Sequence, residues 1–175
     1  MFNTFASVGI IAIQLAIVVI IIGWIARADF VRPIATHAGL IIAIIFTSAT
    51  IMSFIYQYGF GYEPCLLCWY QRIFIIPIAI LAWTATLRTN KLLQKQFLIL
   101  SIAGFGIAVF HTIIDVFPTG IDACGAAGPS CLMRYVYEFG YITIPVMSLT
   151  VLSAGILLTL LAQRYPQQSL VQSVE

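Results

Sequence analysis

Four cysteines, arranged as two unlike pairs, are the residues of this 175-residue chain best suited to chemistry. The first pair lies in Glu63-Pro64-Cys65-Leu66-Leu67-Cys68-Trp69-Tyr70-Gln71-Arg72. Pro64 suits a helix start and predicts Cys65 and Cys68 in the first helical turn. Residues three apart share one helix face at about 5 to 6 Å, within reach of a disulfide. The positive end of the helix dipole favours a thiolate there, which is the nucleophile of thiol–disulfide exchange. Cys65 and Cys68 are therefore candidates for a redox switch. The second pair, Cys124 and Cys131, brackets Gly125-Ala126-Ala127-Gly128-Pro129-Ser130. That segment turns tightly enough to close a disulfide, which is either a structural staple or an exposed bridge open to exchange. The C-x2-C and C-x6-C spacings depart from the commonest zinc-ligand patterns, so no metal is expected.

The elements that position these thiols must lie in a membrane. The chain is 62% hydrophobic and 8% charged, far from the balance of a soluble domain. Uncharged runs at Phe5 to Ile25, Ala38 to Ile55 and Tyr141 to Ala162 are each long enough to cross a hydrocarbon core of about 30 Å. Trp69 to Leu87, with Arg72 near its start, and Phe97 to Ile114, with His111 near its end, complete five spans. The expected fold is all-α: an antiparallel four-helix membrane bundle with one extra N-terminal transmembrane helix. Its parts are an N-terminal helix and link over 1–37, a four-helix redox domain over 38–164 and a polar tail over 165–175. The first run lacks a charged start and exceeds a signal-peptide core, so it reads as a retained helix.

Arg27, Arg32, Arg88, Lys91, Lys95 and Arg164 fall in the links on one side, which the positive-inside rule makes cytoplasmic. The opposite loops, Tyr56 to Cys68 and about Asp115 to Gly140, hold all four cysteines and a single loop base, Arg134. Seven of the eight tyrosines flank these loops, as rings do at headgroup level. The thiols thus face an oxidising compartment. The net charge of +2 is spread by topology and forms no nucleic-acid patch. Pro118, Gly120, Gly125, Gly128 and Pro129 predict an irregular, mobile second loop, and Gln163 to Glu175 a frayed end. Pro77 and Pro145 each remove a backbone donor within a span and either kink it or are simply tolerated there.

Arg72 lies four residues beyond Cys68, about 6 Å further along the same face. An arginine at the centre of a span costs about 2.5 to 3.5 kcal/mol. It either snorkels back to the headgroups or marks a site where negative charge develops. His111 shares a helix face with Asp115. It either holds a hydrogen bond within the packed bundle or acts as a proton relay at a quinone site.

Pro-Cys-x-x-Cys-x-Tyr-x-Arg at the head of a span, a later cysteine pair in the other outer loop, and His111-Thr112 followed by Pro118 and Cys124 resemble the DsbB-type disulfide bond formation proteins. The resemblance covers about Ala38 to Arg164. Cys-Leu-Leu-Cys-Trp-Tyr-Gln-Arg-Ile-Phe with a close second pair is most similar to the short-loop BdbC-type branch. It implies a thiol:quinone oxidoreductase of the bacterial inner (cytoplasmic) membrane, supporting disulfide formation in exported proteins. Cys124 and Cys131 would oxidise a DsbA-like thioredoxin-fold thiol oxidase, with Cys124 taking the mixed disulfide and Cys131 resolving toward Cys65. Cys68 would stand beside the quinone, ubiquinone or menaquinone, with Arg72 orienting it and His111 contributing. Two features depart from the family plan: only six residues separate Cys124 from Cys131, and Phe5 to Ile25 has no counterpart. The rival readings are a non-catalytic membrane scaffold with two structural disulfides and a quinone-linked oxidase of the vitamin K epoxide reductase type. Against the latter, the C-x-x-C here opens an early helix and precedes Tyr-x-Arg.

Overall fold

Hydropathy alone dictates most of this architecture, because a helix satisfies all its backbone groups internally and can cross lipid unaided. The computed structural model describes residues 1–84, 91–117 and 129–165. Its helices are α1 (Phe2–Ile25), α2 (Val31–Thr36), α3 (Ala38–Phe54), α4 (Leu66–Thr84), α5 (Lys91–Val116) and α6 (Ile144–Arg164). A π-helical turn, Ile55–Gly59, extends α3. Among the described residues five helices, α3 counted with its π turn, are long and apolar enough to cross a membrane. Among the described residues the only β pairing is an isolated bridge between Glu138 and Ile142.

Helices α3, α4, α5 and α6 form a closed ring in which each packs on the next and α6 returns to α3. Their short links make sequence neighbours antiparallel. The shared core includes Phe46, Ile42, Ile78, Phe97 and Leu152, all fully buried. Close approach depends on glycine: a Cβ at Gly155 would stand 2.7 Å from the Phe46 ring, and one at Gly104 would stand 3.0 Å from both Leu152 and Phe74.

Helix α1 lies outside this ring, against α6 and α2. Gln14 pins it there. Its Nε2 donates to Thr150 Oγ1 at 3.0 Å, and its Oε1 accepts from the Tyr141 hydroxyl at 2.7 Å. Hydrogen bonds between helices in lipid contribute about 0.6 to 2 kcal/mol each.

The structure corrects the sequence reading at three places. The link from Ala26 to His37 contains α2, a short helix without its own span. Helix α6 begins at Ile144, because Ile142 pairs with Glu138 in the isolated bridge and Thr143 is extended (φ -119°, ψ 168°). Pro145 consequently occupies the first turn of α6, where its missing N–H costs no hydrogen bond and causes no kink. Pro77 does lie inside α4. Gln163 and Arg164 are still helical, whereas most of the tail and the Pro118 to Gly128 stretch, Cys124 included, lie outside the described residues.

Candidate functional site

The chain enters α4 at Cys65, whose carbonyl accepts the Trp69 N–H at 3.1 Å. Cys65 is thus the residue before the first turn and Cys68 sits within that turn, one position from the expected arrangement. Both thiols are free. Cys65 is buried and Cys68 half-buried, with their sulfurs 3.3 Å apart in a thiol hydrogen bond.

His111, on the last turns of α5, faces this pair from the bundle interior. Its Nε2 lies 3.8 Å from Cys65 Sγ, and its Nδ1 lies 3.3 Å from Gln71 Nε2. With the Gln71 amide donating to Nδ1, the imidazole proton sits on Nε2 and points at the Cys65 sulfur. The hydrogen bond from Cys68, supplemented by His111, pulls the Cys65 thiol down to about 4 against the opposing effect of burial. Cys65 is therefore a thiolate at neutral pH, the reactive form.

Cys131 arrives from the second loop. It is buried and disulfide-bonded. Its sulfur, Cys65 Sγ and a His111 ring nitrogen all lie within 4.8 Å of one another. Such a trio has the spacing of a metal site, but a sulfur engaged in a disulfide is no thiolate ligand. The arrangement instead places a thiolate beside a disulfide sulfur, the geometry of exchange.

A clamp holds the second loop in place. Arg134 Nε donates to Asp115 Oδ1 at 2.7 Å, and a second guanidinium N–H donates to the Asp115 backbone carbonyl. Thr143 Oγ1 donates to Asp115 Oδ2 at 2.8 Å. Asp115 is only 4% exposed, so these donors replace its hydration. The rings of Tyr62 and Tyr135 stack at 4.7 Å and join the two loops.

Arg72 does not reach out to water. It is 8% exposed, donates from Nη2 to the Ser53 carbonyl at 2.9 Å and from Nη1 to Gln57 Oε1, and lies over the rings of Trp69 (4.9 Å) and Phe54 (5.5 Å). The π-helical turn brings Gln57 to it, and such turns often occur at functional sites.

Cys65, Cys68, Arg72, His111 and Cys131 line one cavity of about 720 Å³. Five of the six residues singled out in the sequence thus converge; the sixth, Cys124, lies outside the described residues. Gln57 and Gln71 were not among the sequence candidates, and Asp115 and Arg134 entered the sequence reading only as a face-mate of His111 and as a loop base. For Gln71 a signal was available, since it lies three residues from Cys68 on the same helix face.

Residues 32–167 match the sequence model of the family described as Disulfide bond formation protein DsbB. The chain is 39% identical over 106 residues to the "Probable disulfide formation protein" of Chlamydia caviae, covering 60% of this chain and 76% of that protein. It is 32% identical over 120 residues to Disulfide bond formation protein C of Bacillus subtilis, covering 67% and 84%. With the SPbeta prophage-derived disulfide bond formation protein B of Bacillus subtilis it shares 35% identity over 99 residues, covering 57% and 67%. No solved structure matches.

Proposed function

The chain belongs to the DsbB family of disulfide bond formation proteins, and from that premise we propose that it is a membrane thiol:quinone oxidoreductase. It reoxidises a DsbA-like thioredoxin-fold oxidase on the extracytoplasmic face of the bacterial cytoplasmic membrane. The observation that carries this reading is the meeting of the Cys65 and Cys131 sulfurs and His111 within 4.8 Å, in the cavity that Arg72 also lines.

The exchange balances through the chain's own sulfurs. A partner dithiol reduces the Cys124–Cys131 disulfide, with Cys124 taking the mixed disulfide, and the partner leaves oxidised. The Cys131 thiolate then attacks Cys65 of an oxidised Cys65–Cys68 pair, releasing Cys68 as a thiolate. Attack of Cys124 on Cys131 restores the second disulfide and releases Cys65. Two electrons now reside on Cys65 and Cys68; Cys65 is left as the thiolate, Cys68 takes up one of the partner's two thiol protons and the other passes to solvent. His111 stabilises the Cys65 thiolate through its Nε2 proton, oriented by Gln71.

The residues present fit a quinone. The Tyr56 hydroxyl lines the same cavity, is buried and has no hydrogen-bond partner among the described residues, a state that costs free energy unless a ligand satisfies it. Arg72 and Tyr56 are the donors that would hold the ring oxygens, with Cys68 beside them. When bound, the quinone supplies a two-electron acceptor.

The experiment combines purified protein, a reduced DsbA-like oxidase and ubiquinone or menaquinone. Quinone reduction is expected, and Cys68→Ser abolishes it. Unchanged turnover in Cys68→Ser removes the mechanism. The scaffold alternative predicts no quinone reduction and potentials below about −300 mV for both cysteine pairs, as structural disulfides have.

A further inference from the structure

The cavity that begins at Cys65, Cys68 and Arg72 does not end at them. It continues into a slot bounded by α1, α3 and α6, lined by Gly9 and Ile13 with Ala49, Met52, Met147 and Val151. No Cα of α1 comes within 8 Å of one in α3. The cleft is roofed at the cysteine end, where the Phe2 ring meets Tyr56 at 5.8 Å and Phe60 at 5.0 Å. Gln14 ties α1 to Thr150 and Tyr141, on the α6 side of the cleft. At Gly9 a Cβ would meet nothing within 4 Å.

We propose that this cleft binds the isoprenoid tail of the lipid-soluble electron acceptor, with α1 as a wall added to the four-helix plan. The inference rests on the quinone reading above and goes beyond it. Residues 2 to 25 lie outside the segment that matches the family, 32–167. The volume of about 720 Å³ falls within the range of about 300 to 1,000 Å³ typical of small-molecule sites. The lining matches such a ligand from end to end: two buried donors, Arg72 and the unpartnered Tyr56 hydroxyl, at the head, and an apolar slot behind them. A phospholipid acyl chain would fill the slot but present no flat ring with acceptor oxygens to that pair. The head thus favours a quinone over bulk lipid as the occupant.

The test uses the full chain in lipid nanodiscs with a reduced thioredoxin-fold oxidase as donor. KM is measured for a tail-less ubiquinone and for a ubiquinone carrying a short isoprenoid tail. Gly9→Trp, which fills the cleft, is expected to lower the preference for the tailed over the tail-less acceptor about tenfold, the scale of a lost apolar pocket contact. An unmoved ratio overturns the proposal and leaves the slot to lipid. A measurement on the unaltered chain guards against a variant that fails to fold: a ubiquinone with a photoreactive azide on its tail should label residues 5 to 13. Labelling confined to other helices or to lipid overturns it equally. If the unaltered chain reduces neither quinone, the functional reading falls and takes this inference with it. If it reduces both while Gly9→Trp leaves their ratio unchanged, only the inference falls.

Discussion

Two neighbours act on the sulfur of Cys65: the Cys68 thiol at 3.3 Å and the His111 imidazole at 3.8 Å. Both favour the thiolate, which fixes the sign of the pH dependence. A thiol held at about 4 stays ionised from neutral pH down, and its charge is lost only as pH falls through that value. Any stability linked to this ionisation is likewise present above the ordinary thiol range and lost as pH falls toward 4. Alkylation of Cys65 in the reduced protein is therefore expected to keep its rate into mildly acidic buffer. His111→Ala should shift the inflection upward, and a profile following an ordinary free thiol would contradict the assignment. Gln71→Leu should produce a smaller shift in the same direction, because the ring remains but loses the donor that fixes its tautomer. The shared placement of Cys65, Cys68 and Arg72 was legible in the sequence because Pro64 and the three- and four-residue spacings fix their common face. Gln57 was not, since a lone amide in an apolar run carries no sign of whether it faces lipid or a cavity, whereas the spacing of Gln71 from Cys68 already put it on their face.

Arg134 is a single loop base in the sequence, but in the fold it secures the segment that carries Cys131. Arg134→Ala leaves the Asp115 carboxylate with Thr143 as its remaining side-chain donor. Loss of a hydrogen bond to a buried polar group costs about 1 to 3 kcal/mol, so a lower melting temperature is expected. The more specific readout is the Cys65–Cys131 disulfide that accumulates in a Cys68→Ser background. Arg134→Ala should reduce its yield and Arg134→Lys should restore part of it, whereas an unchanged yield would show that the clamp does not position the loop. The partnership between α5 and this loop was hidden in the sequence, because Asp115 and Arg134 lie nineteen residues apart and meet only through tertiary packing. The start of α6 was hidden for a related reason: hydropathy runs on from Tyr141, while Ile142 pairs with Glu138 and Thr143 is extended, so the helix begins only at Ile144.

Across the whole chain, the five spans follow from apolar length and the ring of four follows from short links. The site of α1 does not, because a helix of nearly uniform apolarity names no neighbour, and its Gln14 hydrogen bond to α6 forms only through tertiary packing. The ring is tight enough that Gly155→Ala, driving a methyl into the Phe46 ring, is expected to cost about 1 to 3 kcal/mol by overpacking, read by thermal unfolding in detergent. The proposed sidedness predicts that, after reduction, a membrane-impermeant maleimide added outside intact cells modifies the cysteines, while labelling only after lysis would invert the topology. The cysteine end has a further consequence. Beyond it, residues 38–55, 73–84, 97–110 and 144–163 contain no acid, base or histidine, so among the described residues the packed core offers no chain of titratable side chains to the far face. In the proposed reaction the thiol protons are therefore released, and the acceptor's protons taken up, on one side. Turnover is then electrically silent: it neither draws on the membrane potential nor adds to it, and collapsing that potential with an ionophore should leave the rate unchanged.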